Sequence, residues 1–125
     1  MSENKTIVID LDKTLTTGAG KEYGERIPRV DVIETLRKYK CNGFYIVIYT
    51  ARNMRTYNGN IGLINVNTLP GILFWLDDND IPYDEVIIGK PWCGNHGFYV
   101  DDRAIRPDEF VQKSYSEIMK IIEAK

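Results

Sequence analysis

Hydrophobic and polar residues follow one another in blocks that predict strands separated by helices. Residues 6–9, TIVI, are apolar and mostly β-branched, which is typical of a strand buried on both faces in a parallel sheet. Residues 44–49, FYIVIY, predict a second buried strand that ends at Thr50. Residues 85–89, EVIIG, predict a third strand, and residues 98–100, FYV, predict a fourth.

Helices are predicted where apolar residues recur every three or four positions. Their ranges and inward-facing residues are 29–40 with Val32, Ile33 and Leu36, 67–79 with Ile72, Leu73 and Leu76, and 107–122 with Phe110, Tyr115, Ile118 and Ile122. Asn67 or Thr68 is the predicted cap of the second helix. The glycine-rich stretch 16–27 predicts a flap or short hairpin. Residues 52–66 predict a long polar loop, and loops of that length in compact domains are usually functional.

Alternating strands and helices predict a three-layer α/β/α sandwich with a mostly parallel, Rossmann-like sheet. The connection between the third and fourth strands is unusually short for this arrangement. Only residues 91–97 connect them, whereas parallel strands normally need a dozen or more. At roughly 3.3 Å per residue this connection reaches about 23 Å, which allows a crossing without a helix. No repeat or linker interrupts the chain, so a single domain over residues 1–125 is expected.

The composition, 43% hydrophobic and 27% charged, is that of an ordinary globular domain. A formal net charge of −2 gives no reason to expect nucleic acid or an anionic membrane as a partner. No apolar run approaches the roughly 20 residues of a membrane span. Cys41 and Cys93 lack metal-ligand spacing and the opening residues MSENK are polar, so a reduced, cytoplasmic protein is predicted.

Polar side chains follow all four predicted strands, and the carboxyl ends of parallel strands meet at one edge of a sheet. They are Asp10 and Asp12, Thr50, Lys90, and Asp101 and Asp102, in the order of the strands. Clustered carboxylates repel each other by roughly 4 kcal/mol per close pair near a protein surface, so they require a compensating cation. An all-oxygen site of this type selects Mg²⁺, completed by a phosphate and assisted by the positive charge of Lys90.

The segments IVIDLDKTL, IVIYT, GKP and FYVDD, in this order, resemble the four motifs of the haloacid dehalogenase superfamily of phosphotransferases. The resemblance implies that Asp10 is the nucleophile, which forms an aspartyl-phosphate. It implies that Asp12 is the general acid and base, with its backbone carbonyl also facing the metal. Thr50 and Lys90 would then hold the transferring phosphoryl oxygens.

For the last motif, the resemblance implies that Asp101 binds Mg²⁺ directly and that Asp102 acts through water or holds Lys90. Lys13 stands where many members of the superfamily carry glycine, a position that varies among them. The chain has no room for the large cap domain of the superfamily. A capless member either accepts bulky substrates or covers its open site with its own loops or a neighbouring subunit of a homo-oligomer.

Two longer segments, TARNMRTYNGNIGLINVNT and DEVIIGKPWCGNHGFYVDDRAIRPDEF, are similar to small capless phosphatases associated with capsular polysaccharide biosynthesis. This similarity implies that the substrate is a small phosphorylated sugar or polyol. Arg52, Arg55 and Arg103 lie just beyond the predicted strand ends and are candidates for binding a second anionic group of the substrate. Each could equally pair with a surface carboxylate. The predicted loop 52–66 is a candidate for recognising the leaving group.

Several other functions are compatible with parts of this pattern. A signalling receiver domain also uses an acidic pair, a phospho-accepting Asp, a Thr and a Lys, but in a different order along the chain. A catalytically silent binding module would be expected to have lost one of the acidic residues or Lys90. A phosphomutase is disfavoured without a cap to retain its intermediate. Nucleotide or macromolecular phosphoesters remain alternative substrates of a phosphatase.

Overall fold

A computed structural model describes residues 5–17 and 26–124. The chain divides into two compact units, Met1–Trp92 and Cys93–Lys125. In chain order the first unit contains β1 (Thr6–Ile9), α1 (Val30–Cys41), β2 (Tyr45–Thr50), α2 (Ile61–Asn67), α3 (Leu69–Asp78) and β3 (Glu85–Ile88). The second unit contains α4 (Pro107–Gln112) and α5 (Tyr115–Glu123). The single domain over residues 1–125 stays a prediction.

The first unit is built around a parallel sheet of three strands in the order β1-β2-β3. Ile9 of β1 lies level with Ile48 of β2, and Thr50 of β2 lies level with Ile88 of β3. The central strand β2 is buried on both faces, since the consecutive residues Ile46 and Val47 are both buried. The predicted α/β sandwich with a parallel sheet is confirmed. All three strands end at the same edge.

The predicted burial of β1 on both faces is wrong. Ile9 is buried, but the side chain of Val8, on the opposite face, is 61% exposed. β1 is an edge strand of the described sheet, and an edge strand has fewer neighbours to cover its faces than a central one. A β-branched run therefore predicted the strand correctly without predicting its environment.

The predicted fourth strand is also wrong, because residues 98–100 form no strand in the described chain. The side chains of Phe98 and Val100 are exposed. The connection before them turns tightly, so that a Cβ at Gly97 would collide with the backbone of Cys93. A strand is held by hydrogen bonds to a neighbouring strand, so apolar composition alone does not produce one.

The first predicted helix is confirmed as α1. Val32, Ile33 and Leu36 form its buried face, as their spacing predicted. The helix ends at Asn42, and Gly43 then takes a φ of 89°, a left-handed conformation that glycine adopts without steric cost.

The predicted loop 52–66 is wrong in its second half, where α2 forms. The side chain of Asn60 caps this helix by accepting a hydrogen bond from the backbone N–H of Leu63 at 3.1 Å. Ile64 is fully buried, whereas Leu63 and Val66 are exposed. The apolar residues of this segment are therefore spread around the helix rather than gathered on one face. The periodicity that normally identifies a helix is absent.

The second predicted helix is confirmed as α3, with Ile72 and Leu76 fully buried. Leu73 is only half-buried, and Trp75 occupies the core in addition. Trp75 can be buried because its indole N–H donates a hydrogen bond to the carbonyl of Arg26 at 3.0 Å.

The predicted closing helix 107–122 is two helices, α4 and α5, so its continuity is wrong. Ser114 interrupts it with a capping box. The Ser114 hydroxyl accepts from the backbone N–H of Glu117, and the Glu117 carboxylate accepts from the backbone N–H of Ser114. Phe110 and Ile118 are buried, as their spacing predicted, whereas Tyr115, also predicted to face inward, is exposed and Ile122 is half-buried.

The predicted flap or hairpin falls largely on residues 18–25, outside the described residues. Its two ends pair in antiparallel fashion between Thr16 and Pro28. The backbone N–H of Thr17 donates to the carbonyl of Ile27 at 2.9 Å. Across the described chain, no helix has both the length and the hydropathy required to cross a membrane.

Candidate functional site

The loop that follows β1 presents Asp10 and Asp12 at the carboxyl edge of the sheet. It is anchored by Leu11 and Leu15, which are both fully buried. The carbonyl of Leu11 accepts hydrogen bonds from the backbone N–H groups of three of the next five residues, including Leu15 at 2.9 Å. The loop is therefore a tight turn pinned to the core on either side of Asp12.

Lys13 takes a φ of 62° in this turn, the left-handed conformation that costs a non-glycine residue roughly 1–2 kcal/mol. Its backbone N–H donates to the hydroxyl of Thr16, which is fully buried, at 3.1 Å. A glycine at this position would adopt the same conformation without strain.

The carboxylate of Asp10 is held through both of its oxygens. Oδ2 accepts a hydrogen bond from the Thr14 hydroxyl at 3.0 Å, and Oδ1 lies 3.5 Å from the ammonium nitrogen of Lys90. Burial raises the pKa of Asp10 above its ordinary value, while Lys90 and Thr14 oppose that shift. Asp10 is thus partly desolvated, although it lies beside a cation.

Lys90 reaches Asp10 because β2 and β3 end side by side. Its backbone N–H donates to the carbonyl of Thr50 at 3.1 Å, two residues beyond the end of β3. Gly89, just before it, has a φ of 90°, and a Cβ there would come within 2.7 Å of the Ile61 Cδ1 atom of α2. The Lys90 ammonium also lies 6.0 Å from the centroid of the Tyr49 ring.

Asp12 forms a bidentate ion pair with Arg52, which follows β2. The Arg52 Nη2 lies 2.7 Å from Asp12 Oδ1, and its Nε lies 3.0 Å from Asp12 Oδ2. The backbone N–H of Arg52 donates to the hydroxyl of Thr50 at 3.0 Å. The sequence left Arg52 open between binding substrate and pairing with a carboxylate. The structure places its guanidinium on the Asp12 carboxylate, a pairing across 40 positions that no local pattern signals.

The segment after Arg52 is tied to the start of α3. Asn53 has a φ of 61°, and its side-chain oxygen accepts a hydrogen bond from the Thr68 hydroxyl at 2.7 Å. Thr68 is therefore at the predicted cap position, but its hydroxyl binds the loop instead of capping the helix. Arg55, a further candidate for substrate binding, is exposed.

The remaining candidates belong to the second unit and are described within it. Asp101, Asp102 and Arg103 are all exposed. The Asp101 carboxylate accepts a hydrogen bond from the backbone N–H of Arg103 at 2.9 Å. Within residues 5–17 and 26–124, no three His, Cys, Asp or Glu side chains are grouped closely enough to hold a metal ion. The roles of Asp101, Asp102 and Mg²⁺ stay predictions.

The first unit nevertheless brings four predicted catalytic residues to one edge of the sheet, namely Asp10, Asp12, Thr50 and Lys90. Thr50 is 1% exposed, and its hydroxyl oxygen already accepts from the backbone N–H of Arg52. The hydroxyl proton is then directed to an acceptor, such as an oxygen of a bound anion. Lys90 supplies a cation beside the Asp10 carboxylate. The edge therefore combines a partly desolvated carboxylate with donors suited to an anion.

A crystal structure of a structural-genomics target from Vibrio cholerae superimposes on this chain with a TM-score of 0.94. The two sequences are 55% identical, and the match covers 95% of this chain and 97% of that chain. The chain belongs to the same family as this Vibrio cholerae protein. The description of that protein states no activity. No protein-family description and no curated protein matches the sequence.

Proposed function

We propose that the protein is a Mg²⁺-dependent phosphatase that hydrolyses a small phosphomonoester through an aspartyl-phosphate formed on Asp10. The observation that carries this proposal is the setting of Asp10, whose two oxygens meet the Thr14 hydroxyl and the Lys90 ammonium. Asp12 follows two residues later on the same turn. A partly buried carboxylate with a perturbed pKa beside a cation is a candidate nucleophile with a physical rationale.

In the first step, a carboxylate oxygen of Asp10 attacks the phosphorus, and the bond from phosphorus to the leaving oxygen breaks. Asp12 gives its proton to that oxygen, so the leaving group departs as a neutral alcohol. Thr50 and Lys90 bind oxygens of the transferring phosphoryl group and offset its charge.

In the second step, water attacks the phosphorus of the aspartyl-phosphate, and the bond from phosphorus to the Asp10 oxygen breaks. Asp12, now ionised, accepts the proton of the attacking water. Inorganic phosphate leaves, and both aspartates return to their initial states. One acid–base group therefore serves both halves of the reaction.

Mg²⁺ suits the donors at this edge of the sheet, because the Asp10 carboxylate and the backbone carbonyl of Asp12 are both hard oxygen ligands. Asp10, the backbone carbonyl of Asp12 and Asp101 are the proposed ligands, with Asp102 acting through water or on Lys90. When bound, the ion neutralises negative charge on the phosphoryl oxygens and relieves repulsion between them and Asp10.

The proposed substrate is a sugar or polyol phosphate, a precursor of a capsular polysaccharide, acted on in the cytoplasm. This part of the proposal rests on the similarity to small capless phosphatases. Neither nucleic acid nor a membrane is a proposed partner of the protein. Arg55 and Arg103 are the proposed contacts for a second anionic group of the substrate. A neighbouring subunit of a homo-oligomer, or the segment 52–66, would cover the open site.

The direct test is a hydrolysis screen of sugar, polyol and nucleotide monophosphates with Mg²⁺ present. Phosphate release from sugar or polyol phosphates, and little from nucleotides, is the expected result. A preference for nucleotides or phosphoproteins would contradict the proposed substrate class. If the protein is folded by circular dichroism and releases phosphate from none of the phosphomonoesters, the phosphatase assignment itself is contradicted.

A further inference from the structure

Arg52 and Asp12 differ sharply in their exposure, although they are bonded to each other. The Arg52 side chain is 3% exposed, while the Asp12 side chain is 28% exposed. The guanidinium therefore lies on the inner side of the carboxylate, and Asp12 separates it from solvent. A substrate arriving from solvent would meet Asp12 before it met Arg52.

Arg52 is also fixed from its own backbone, independently of Asp12. Its backbone N–H is bonded to the hydroxyl of Thr50, which ends the central strand. The next residue, Asn53, is held in a left-handed conformation and is bonded to Thr68 at the start of α3. The strand and the helix thus set the position of Arg52 before any ligand binds.

We propose that Arg52 is a positioning residue, whose guanidinium fixes the orientation of the Asp12 carboxylate for proton transfer to the leaving oxygen. This inference rests on the proposed function. Proton transfer requires Asp12 to lie within about 2.6–3.2 Å of the reacting oxygen. A guanidinium that bonds both carboxylate oxygens fixes the plane of the carboxylate, which a lysine ammonium, a single point charge, does not do.

Positioning of a general acid has a measurable signature, because leaving groups differ in their need for a proton. Nitrophenolate leaves readily without one, whereas the alkoxide of glycerol phosphate needs one. In single-turnover measurements, the Arg52→Met variant should lose about 10²-fold in the rate of glycerol release from glycerol phosphate. The single-turnover rate of nitrophenolate release should stay within about threefold, and the dissociation constants of both esters should stay within about twofold of the wild type. Steady-state hydrolysis of both esters should fall, because Asp12 also serves the second step that they share.

A double-variant comparison separates action through Asp12 from any independent role. The Asp12→Asn variant should show the same selective loss in the single-turnover rate on glycerol phosphate, together with slower steady-state hydrolysis of both esters. Adding Arg52→Met to Asp12→Asn should then cause no further loss, because the group that Arg52 positions is already gone. Arg52→Lys should recover only part of the activity, since it retains charge without the two parallel hydrogen bonds.

Arg37→Met is the matched control, because Arg37 also makes two side-chain hydrogen bonds, to the carbonyls of Asn79 and Asp80. It should leave the two single-turnover rates unchanged. Weaker binding of both esters by Arg52→Met would show that Arg52 binds substrate. Equal losses in the single-turnover rates of both esters would show that it supports the scaffold. Either result overturns the positioning role.

Crystal structures of the wild type and Arg52→Met give a readout that does not depend on activity. The expected result is that Asp12 adopts a different or disordered side-chain conformation in the variant. An unchanged Asp12 conformation would overturn the proposal. A wild-type protein that hydrolyses no phosphomonoester would refute the proposed function, and the two structures would still decide whether Arg52 orients Asp12.

Discussion

Two aspartates lie at opposite ends of the same sheet, and each faces a lysine. Asp10 follows β1 at the carboxyl edge, 3.5 Å from the Lys90 ammonium. Asp84 precedes β3 at the amino end, 2.7 Å from the Lys40 ammonium. Burial raises the pKa of Asp10, whereas hydrogen bonds from Lys40 and from the backbone N–H of Ile46 lower the pKa of Asp84.

The difference arises because desolvation dominates at Asp10, whereas hydrogen bonds dominate at Asp84. Both oxygens of Asp84 accept from Lys40, and one also accepts from the backbone N–H of Ile46 at 2.8 Å. Close by, the Tyr45 hydroxyl donates to Glu85 at 2.6 Å. The hydrogen bonds at the amino end of the sheet therefore stabilise the fold. The carboxyl end keeps a partly desolvated charge in place, which is the expected property of a site that binds or reacts.

The strongest test of this comparison is the Asp10→Asn variant. We expect it to abolish hydrolysis, because the amide is not a nucleophile. The folded state disfavours ionised Asp10, so removing the charge should leave the free energy of unfolding equal or higher. Phosphate release and denaturant unfolding at neutral pH measure the two effects. A variant that keeps turning over substrate would place the nucleophile elsewhere, and a clear loss of stability would contradict the picture of Asp10 as a desolvated group.

Removal of Mg²⁺ should affect only the carboxyl end. A chelator should abolish hydrolysis, and Ca²⁺ should restore it poorly, because its larger and looser coordination shell misplaces the reacting groups. Mg²⁺ should also raise the Tm of the wild type by binding the folded state. Mg²⁺ should raise the Tm of the Asp10→Asn variant less than that of the wild type, because the variant lacks one of the proposed ligands. Full turnover in the chelator would contradict the metal assignment.

The two lysines provide a matched pair of substitutions. Lys90→Met should lower kcat by about 10²-fold, because it removes a cation beside the transferring phosphoryl group. Lys40→Met should leave kcat unchanged and lower the free energy of unfolding by no more than about 1 kcal/mol, the usual magnitude for an exposed ion pair. Equal changes in kcat from both substitutions would contradict the assignment of catalysis to the carboxyl end and of stability to the amino end.

The positions of Asp10, Thr50 and Lys90 could be predicted from sequence because each depends on a strand end. A run of β-branched residues indicates where a strand stops, and parallel strands bring their ends together. The pairing of Arg52 with Asp12 could not be predicted, because it depends on the path of a turn after each strand. No periodic pattern encodes that path.

The two wrong predictions in the second unit have different causes. The break between α4 and α5 was readable, since Ser114 and Glu117 stand at the spacing of a capping box, but the apolar periodicity of residues 107–122 concealed it. The absence of a strand at residues 98–100 was not readable from composition. Strand formation there depends on a partner, and the tight turn at Gly97 is a property of the folded backbone.

The smallest expected effect belongs to Asp84→Asn, and it tests the amino end alone. The pKa of Asp84 is lowered in the folded state, so its ionised form stabilises the fold above the ordinary pKa of an aspartate, about 3.9. This contribution is lost as pH falls through the lowered pKa.

The asparagine oxygen can still accept from the backbone N–H of Ile46, so only the ion pair with Lys40 is removed. We expect a loss of about 0.5–1 kcal/mol at neutral pH that disappears in acid, with hydrolysis at neutral pH unchanged. Denaturant unfolding of both proteins across this pH range measures the difference. A gap that persists at low pH would show that Asp84 acts through packing rather than charge, and a fall in kcat would show that the two ends of the sheet are not independent.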